Sequence, residues 1–157
     1  MIRNILAVVI GVVAGWIVFT VIQAVLPFIF PPTVYLDLNS QAAIEAYMAS
    51  ITPAMFAVVL AGYAIGSFIA GLLIGKVAES KGNVIPLVVG GFFMIGWILN
   101  LIMLPHPKWV AIVGFFMFIP FTVLGKNLTA GAAAEAGEAE AGMAETEEAS
   151  AGLSEEE

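Results

Sequence analysis

The chain has 157 residues, of which 61% are hydrophobic and only 11% are charged, and it contains no cysteine. Soluble domains have about 25% charged residues, so this composition is typical of an integral membrane protein. The lack of cysteine excludes disulfides, thiolate metal sites and cysteine nucleophiles.

The formal net charge of −7 comes from the C-terminal segment, because nine of the twelve acidic residues follow Lys126. The residues up to Lys126 carry five bases and three acids, a net charge of +2, which offers no basic patch for nucleic acid. The segment 127–157 is rich in Ala, Gly and Glu and has no Lys or Arg. We expect this segment to be a disordered acidic tail.

Four uncharged apolar runs predict an all-α, integral membrane four-helix bundle in residues 1–126. The runs cover residues 5–30, 53–75, 84–104 and 109–125. A helix needs about 20 apolar residues to cross a hydrocarbon core of about 30 Å, and the first three runs have that length. The fourth run is shorter and spans only if Lys108 and Lys126 extend their amines outward. The first run is too long for the apolar part of a signal peptide, so we predict a retained helix.

Local signals mark the ends of these helices. Pro31 and Pro32 stop the first helix, and Thr52 and Asn83 are placed to cap the second and third. Pro120 lacks the N–H that a helix requires, which predicts a kink near the inner end of the fourth.

The loop between the first two spans contains a short predicted helix over residues 39–50. Asn39 or Ser40 can cap it, and Ile44, Tyr47 and Met48 form one apolar side at helical spacing. We expect this helix to lie on the bilayer surface or to cover the outer end of the bundle.

The basic residues set the expected orientation. With four spans, Arg3, Lys76, Lys81 and Lys126 fall on one side of the membrane and Lys108 falls on the other. The positive-inside rule then places both termini in the cytoplasm.

Small residues are expected to pack the helices, because the hydrophobic effect does not drive association within lipid. Six glycines of the first two spans have suitable spacing: Gly11, Gly15, Gly62, Gly66, Gly71 and Gly75. Packing within the chain is favoured over homodimerisation. Since the second span has small residues on more than one face, we expect it to have several neighbours and room for a partner.

The predicted spans contain no Asp, Glu, Lys, Arg or His. Ion-coupled transporters usually place such a residue near the midplane, so a proton-driven exporter is disfavoured, whereas passive conduction stays open. The sequence contains no phosphate-binding loop, zinc-binding helix or Ser-His-Asp combination. We therefore expect no enzymatic activity, no metal site and no cofactor.

Gln23, Tyr63 and Asn100 form the candidate intramembrane polar cluster. A rise of about 1.5 Å per residue puts Gln23 and Asn100 at similar depth in the outer third, with Tyr63 about one turn deeper. A hydrogen bond between the two amides would join the first span to the third. The alternative is a polar lining for a ligand or water pocket.

Trp16 and Trp97 are predicted near mid-bilayer and not in the interfacial belts where tryptophan is usual. Five phenylalanines accompany them: Phe92, Phe93, Phe115, Phe116 and Phe118. They form an aromatic core or lipid face, or else line a site for a flat hydrophobic molecule such as a quinone.

The single histidine, His106, lies in the motif PHPKW between the third and fourth spans. The two prolines end one helix and begin the next, while Lys108 and Trp109 anchor at the headgroups. We predict a turn. The alternative is an outer-loop site in which His106 pairs with Asp37 or Glu45, or joins a metal site across an oligomer.

Three segments, FPPTVYLDLNSQAAIEAYMASITPAMF, NLIMLPHPKW and GFFMFIP, resemble those of a group of short uncharacterised bacterial inner-membrane proteins with four spans. The resemblance covers about residues 1–126. It implies the four-helix topology and a bacterial inner membrane, and it brings no activity and no assigned site residues.

These features favour a non-enzymatic accessory or scaffold subunit that packs against a membrane-protein partner in the lipid bilayer. The alternative is a small homo-oligomeric transporter or channel whose path is lined by Gln23, Tyr63 and Asn100. A third hypothesis is an aromatic-lined site for a lipid or quinone.

Overall fold

The structure, a computed structural model, describes residues 1–31, 33–79 and 82–129, together with 131–132, 135–136 and 143. The described residues form helices and no strands: α1 (Ile2–Ile29), α2 (Gln41–Ser50), α3 (Pro53–Val77), α4 (Val84–Met103) and α5 (Lys108–Phe115). After a turn at 116–117, a further helical stretch covers 118–129. Four segments are long and apolar enough to cross a membrane, namely α1, α3, α4 and the fourth span, Lys108–Thr129. The predicted all-α bundle of a multi-pass membrane protein is confirmed.

Three of the four spanning helices extend beyond an end of the apolar run that predicts them, whereas α4 ends at Met103, one residue before its run does. α1 begins at Ile2, α3 continues to Val77, and the fourth helical span covers Lys108–Thr129, beyond both ends of its run. Hydropathy marks only the part of a helix that lies in hydrocarbon, whereas backbone hydrogen bonding continues into the polar residues beyond it. We call the end of the bundle nearest Met1 the inner end and the opposite end the outer end, after the predicted orientation. At the inner end, the Thr129 hydroxyl donates to the Leu72 carbonyl at 3.3 Å, which ties the last turn of the fourth span to α3.

Two of the three predicted caps are confirmed. The Ser40 hydroxyl accepts from the N–H of Ala43, and the Thr52 hydroxyl accepts from the N–H of Met55, both at 3.3 Å. Asn83 precedes α4 but makes no side-chain cap, so that prediction was wrong. Its φ of −90° and ψ of 11° differ from the extended backbone of a capping residue.

The predicted break in the fourth span is confirmed. The N–H groups of Phe116 and Met117 donate to the carbonyls of Val113 and Gly114, both at 3.1 Å, in a tighter turn than an α-helix makes. The break falls there because Pro120 lacks the N–H that would bond to the carbonyl of Phe116. Since the span is longer than predicted, the break lies near its middle and not near its inner end.

α3 contacts α1 through small residues on one face. Gly15 of α1 lies against the backbone of Gly66, and a Cβ on Gly62 would come within 2.9 Å of side-chain atoms of α1. Deeper in the bundle, a Cβ on Gly11 would lie 2.9 Å from the side chain of Ile74. These contacts support the predicted role of Gly11, Gly15, Gly62 and Gly66 in packing the first two spans together.

A second face of α3 contacts the fourth span even more closely. A Cβ on Gly71 would overlap the carbonyl oxygen of Thr122, and one on Gly75 would lie 2.8 Å from the carbonyl oxygen of Lys126. Gly125 of the fourth span makes the reciprocal contact, since a Cβ on it would overlap backbone atoms of α3. Both small-residue faces of α3 are thus occupied by helices of its own chain.

The inner end of the bundle collects the predicted cytoplasmic bases. Arg3 lies 3.6 Å from the carboxylate of Glu79, which follows α3. Lys76 is in the last turn of α3, and Lys126 in the fourth span packs beside that turn and is 4% exposed. Lys81 lies outside the described residues.

α2 covers the outer end of the bundle. Ile44 and Met48 are buried in the same apolar cluster as Phe56 of α3, and Tyr47 packs against this cluster half-buried. The predicted apolar side of this short helix is confirmed, and it faces the bundle.

The predicted tail begins at residue 127, but the helix continues to Thr129. The disorder predicted for 127–157 concerns residues that lie for the most part outside those described. That part of the prediction stays a prediction.

Candidate functional site

A pocket of about 510 Å³ lies between α1 and α4. α1, α3, α4 and the stretch 118–129 all contribute side chains to it. It is the place where the polar and aromatic residues singled out from the sequence come together.

Aromatic side chains form the floor of this pocket. The ring of Tyr63 lies 5.6 Å from that of Trp97 and 5.5 Å from that of Phe118, measured between centroids. Phe19 of α1 lies 4.9 Å from Phe93 and 5.2 Å from Tyr63, in both cases edge to face. Phe93, Trp97 and Phe118 are at most 7% exposed. Edge-to-face and tilted contacts among these rings make the floor one continuous aromatic surface.

The rim of the pocket lies on the outer surface of α1 and α4. Trp16 is 64% exposed, Phe92 58% and Leu99 56%, although all three line the pocket. Because α1 and α4 are membrane spans, this surface faces hydrocarbon. The pocket therefore opens sideways, towards the bilayer.

Gln23, Tyr63 and Asn100 all line this pocket, as one of the two predicted alternatives requires. Within the described part of the chain, none of the three side chains forms a hydrogen bond, so the predicted bond between Gln23 and Asn100 is not made. Thr20, also in the lining, donates to the carbonyl of Trp16 at 2.9 Å and is satisfied locally. The pocket thus presents two amides and a phenol that are able to bind a polar group.

Pro27 lies inside α1, four residues after Gln23 of the pocket lining. It has no N–H for the carbonyl of Gln23, four residues earlier, which leaves that carbonyl without its usual helical donor. Prediction from the sequence missed this feature, although a proline four residues after a glutamine within an apolar run indicates a carbonyl that lacks its helical donor.

Not all of the predicted aromatic residues belong to the site. Those that line the pocket are Trp16, Phe92, Phe93, Trp97 and Phe118. Phe115 and Phe116 contact each other at 5.5 Å on the exposed side of the fourth span. Sequence reasoning also missed Phe19, whose spacing from Trp16 and Gln23 places it on the same face of α1.

His106 does not line the pocket. Its half-buried ring lies 5.1 Å from the ring of Trp97 and 5.9 Å from that of Phe56, measured between centroids. Its Nδ1 lies 2.8 Å from the carbonyl oxygen of Leu104, to which it donates. Among the described residues, no acidic side chain pairs with His106, and no group of His, Cys, Asp and Glu could hold a metal ion. The contacts support the predicted turn, with the ring turned inward.

The chain matches no protein-family model, no curated protein and no solved structure. The resemblance to short four-span bacterial inner-membrane proteins stays a prediction. The fold and the site define a multi-pass helical membrane protein with an aromatic pocket that opens to the bilayer.

Proposed function

We propose that this protein is a non-enzymatic membrane protein that binds a lipid-soluble molecule in the pocket between α1 and α4. The observation that supports this proposal is the combination of three polar side chains that make no hydrogen bond within the described residues with a floor of packed aromatic rings. The volume of about 510 Å³ is within the range of small-molecule sites, about 300 to 1,000 Å³.

Hydrocarbon offers no hydrogen-bond partner to the amides of Gln23 and Asn100. An unsatisfied amide in such surroundings costs about 1–3 kcal/mol, so a bound molecule that hydrogen-bonds to them gains affinity. Because the rim faces lipid, the molecule enters directly from the bilayer and needs no aqueous path.

Two glycines of α4 provide a matched test. A Cβ added at Gly96 or at Gly91 meets no atom within 4 Å, but only Gly96 lines the pocket. Gly96→Leu therefore places a leucine side chain at the pocket, with a Cβ that meets no neighbouring atom, and Gly91→Leu is the control with the same gain in helix propensity.

The measurement is mass spectrometry of small molecules that copurify with each variant from native membranes. We expect a lipid-soluble molecule in stoichiometric amount with the wild type and Gly91→Leu, and its loss with Gly96→Leu. Equal amounts in all three proteins, or none in any, would contradict the proposal.

An accessory or scaffold subunit of a membrane complex is the second candidate. Its support is the long exposed face of α1, which includes Ile17 and Val21 and is free for a partner helix. The glycine faces no longer support it, because they pack within the chain. Affinity purification in mild detergent followed by native mass spectrometry tests it. A stoichiometric second protein would favour this role, and its absence would count against it.

A small homo-oligomeric transporter or channel is the third candidate. Gln23, Tyr63 and Asn100 meet in one pocket, as a conduction path would require, but the pocket opens to the side. Solute flux in liposomes that contain this protein alone, abolished by Asn100→Leu, would favour this candidate.

We also propose that the protein lies in a bacterial inner membrane with both termini in the cytoplasm. The support is the arrangement of Arg3, Lys76 and Lys126 at one end of the bundle and Lys108 at the start of the fourth span. The positive-inside rule assigns the end with more bases to the cytoplasm.

A further inference from the structure

A second cavity continues the pocket towards the inner end of the bundle. It has a volume of about 290 Å³ and is lined by valines of α1 and α4 and by Phe92. Val12 and Phe92 line both cavities, so the two lie next to each other along the seam between α1 and α4. We call the inner cavity the valine groove.

Polarity changes along this seam in one direction. The outer part has the amides of Gln23 and Asn100 above an aromatic floor, whereas the valine groove has only aliphatic side chains and one ring. From Gln23 to Val8 the helical rise of about 1.5 Å per residue gives a length of about 22 Å. A site with one polar end and a long apolar remainder matches a molecule with a head and a tail.

The described lining of both cavities contains no Asp, Glu, Lys, Arg or His. A charged headgroup would therefore lie in hydrocarbon without a counter-ion, which is strongly unfavourable. Gln23 also lies about two helical turns before the end of α1 at Ile29, about 9 Å below it by the helical rise. This position is too deep for the phosphate of a phospholipid, which stays at the membrane surface.

On the basis of the proposed function, we infer that the ligand is a neutral molecule with a flat, oxygen-bearing head and one linear apolar chain. The head lies between Gln23 and Asn100, whose amide N–H groups donate to its carbonyl oxygens, and its ring packs on Tyr63 and the neighbouring rings. The chain follows the valine groove towards the inner end of the bundle. Alkylated benzoquinones have this chemistry.

Three probes separate the contributions of head and chain. They are a decyl-substituted benzoquinone, the same benzoquinone without the chain, and decylbenzene, which lacks the oxygens. Each is added to the purified full-length protein in lipid nanodiscs at equal mole fraction in the lipid, and bound probe is counted by native mass spectrometry. We expect the wild type to bind the decyl quinone about tenfold more tightly than either of the other two.

Variants of the lining residues show where the head and the chain of the ligand bind. Val88→Trp fills the valine groove, so the decyl quinone should bind to this variant no more tightly than the benzoquinone without the chain. Leu87→Trp is the control, because Leu87 is a neighbouring exposed residue that lines neither cavity, and it should leave this difference in affinity unchanged. The double variant Gln23→Leu, Asn100→Leu should bind the decyl quinone no more tightly than decylbenzene. It should still bind the decyl quinone more tightly than the benzoquinone without the chain. Gly96→Leu should abolish binding of all three probes.

The outcomes distinguish this inference from the proposed function. If all three probes bind with equal affinity and Gly96→Leu abolishes binding, the pocket holds small molecules but the head-and-chain class is wrong. If Gly96→Leu has no effect on any probe, the proposed function fails as well. A homodimer that buries the seam and excludes every probe would show that a second copy of the chain is the occupant, which overturns both.

Discussion

The backbones of Gly15 in α1 and Gly66 in α3 lie in contact where the two helices cross. A Cβ on Gly15 would lie 3.4 Å from the carbonyl oxygen of Gly66, and a Cβ on Gly66 would lie 3.3 Å from the carbonyl oxygen of Gly15. Each glycine is also covered by a ring of the pocket floor, Gly15 by Phe93 and Gly66 by Phe19. The contact that joins α1 to α3 therefore also positions the floor of the pocket.

Gly66→Ala tests this double role. The added methyl group would overlap the ring of Phe19, which must move away from Phe93 and Tyr63. We expect a loss of about 1–3 kcal/mol in unfolding free energy, as in other overpacked cores, together with weaker binding of the decyl quinone. Unfolding in mixed detergent micelles and native mass spectrometry measure the two effects.

Gly91→Ala is the control for this variant, because its added methyl group meets no atom within 4 Å. It should be at least as stable as the wild type, because alanine favours a helix more than glycine does, and it should retain the binding of the wild type. If Gly66→Ala behaved in the same way, the glycine contact would not position the ring.

Gly71→Ala should destabilise the bundle without a direct effect on the pocket. Its methyl group would overlap the carbonyl oxygen of Thr122, and a backbone atom in a packed helix cannot rotate away as a side chain does. We expect a loss of about 2 kcal/mol or more in the same unfolding assay. The fraction that remains folded should bind the decyl quinone as the wild type does. A loss of binding in folded Gly71→Ala protein would contradict the separation between this contact and the pocket.

The features that the sequence predicts correctly depend on local chemistry. The spans follow from hydropathy, the caps at Ser40 and Thr52 from hydroxyls before a helix, and the break before Pro120 from a missing N–H. Asn83 shows that residue type alone does not predict a cap, because its side chain makes no capping hydrogen bond when its backbone is not extended.

The site itself is predicted only in part. Depth can be counted along a helix, so Gln23, Tyr63 and Asn100 could be predicted to lie at similar depth, and all three line one pocket. Lateral distance cannot be counted in this way, because α1 and α4 are apolar all round and hydropathy does not fix their rotation. The hydrogen bond between the amides was therefore wrongly expected, and the open seam between the two helices could not be predicted.

His106 should act through packing alone. His106→Ala removes ring contacts with Trp97 and Phe56 and should lower the unfolding free energy by about 1 kcal/mol. His106→Phe keeps a ring in the same place and loses only the hydrogen bond to Leu104, so its loss should be smaller. Thermal unfolding in detergent compares the two variants. Both should bind the decyl quinone normally, and a loss of binding in His106→Phe equal to that in Gly96→Leu would assign His106 a role in the site.

The absence of native cysteine allows a direct test of orientation. Ala46 is exposed on α2 at the outer end, and Asn127 is exposed at the inner end of the fourth span, so a single cysteine at either position is open to a membrane-impermeant maleimide. With both termini in the cytoplasm, Ala46→Cys should be labelled in spheroplasts and Asn127→Cys only after permeabilisation. The wild-type protein supplies the background, since it has no thiol. Labelling of Asn127→Cys in intact spheroplasts would reverse the orientation, and the quinone head would then face the cytoplasmic leaflet instead of the outer one.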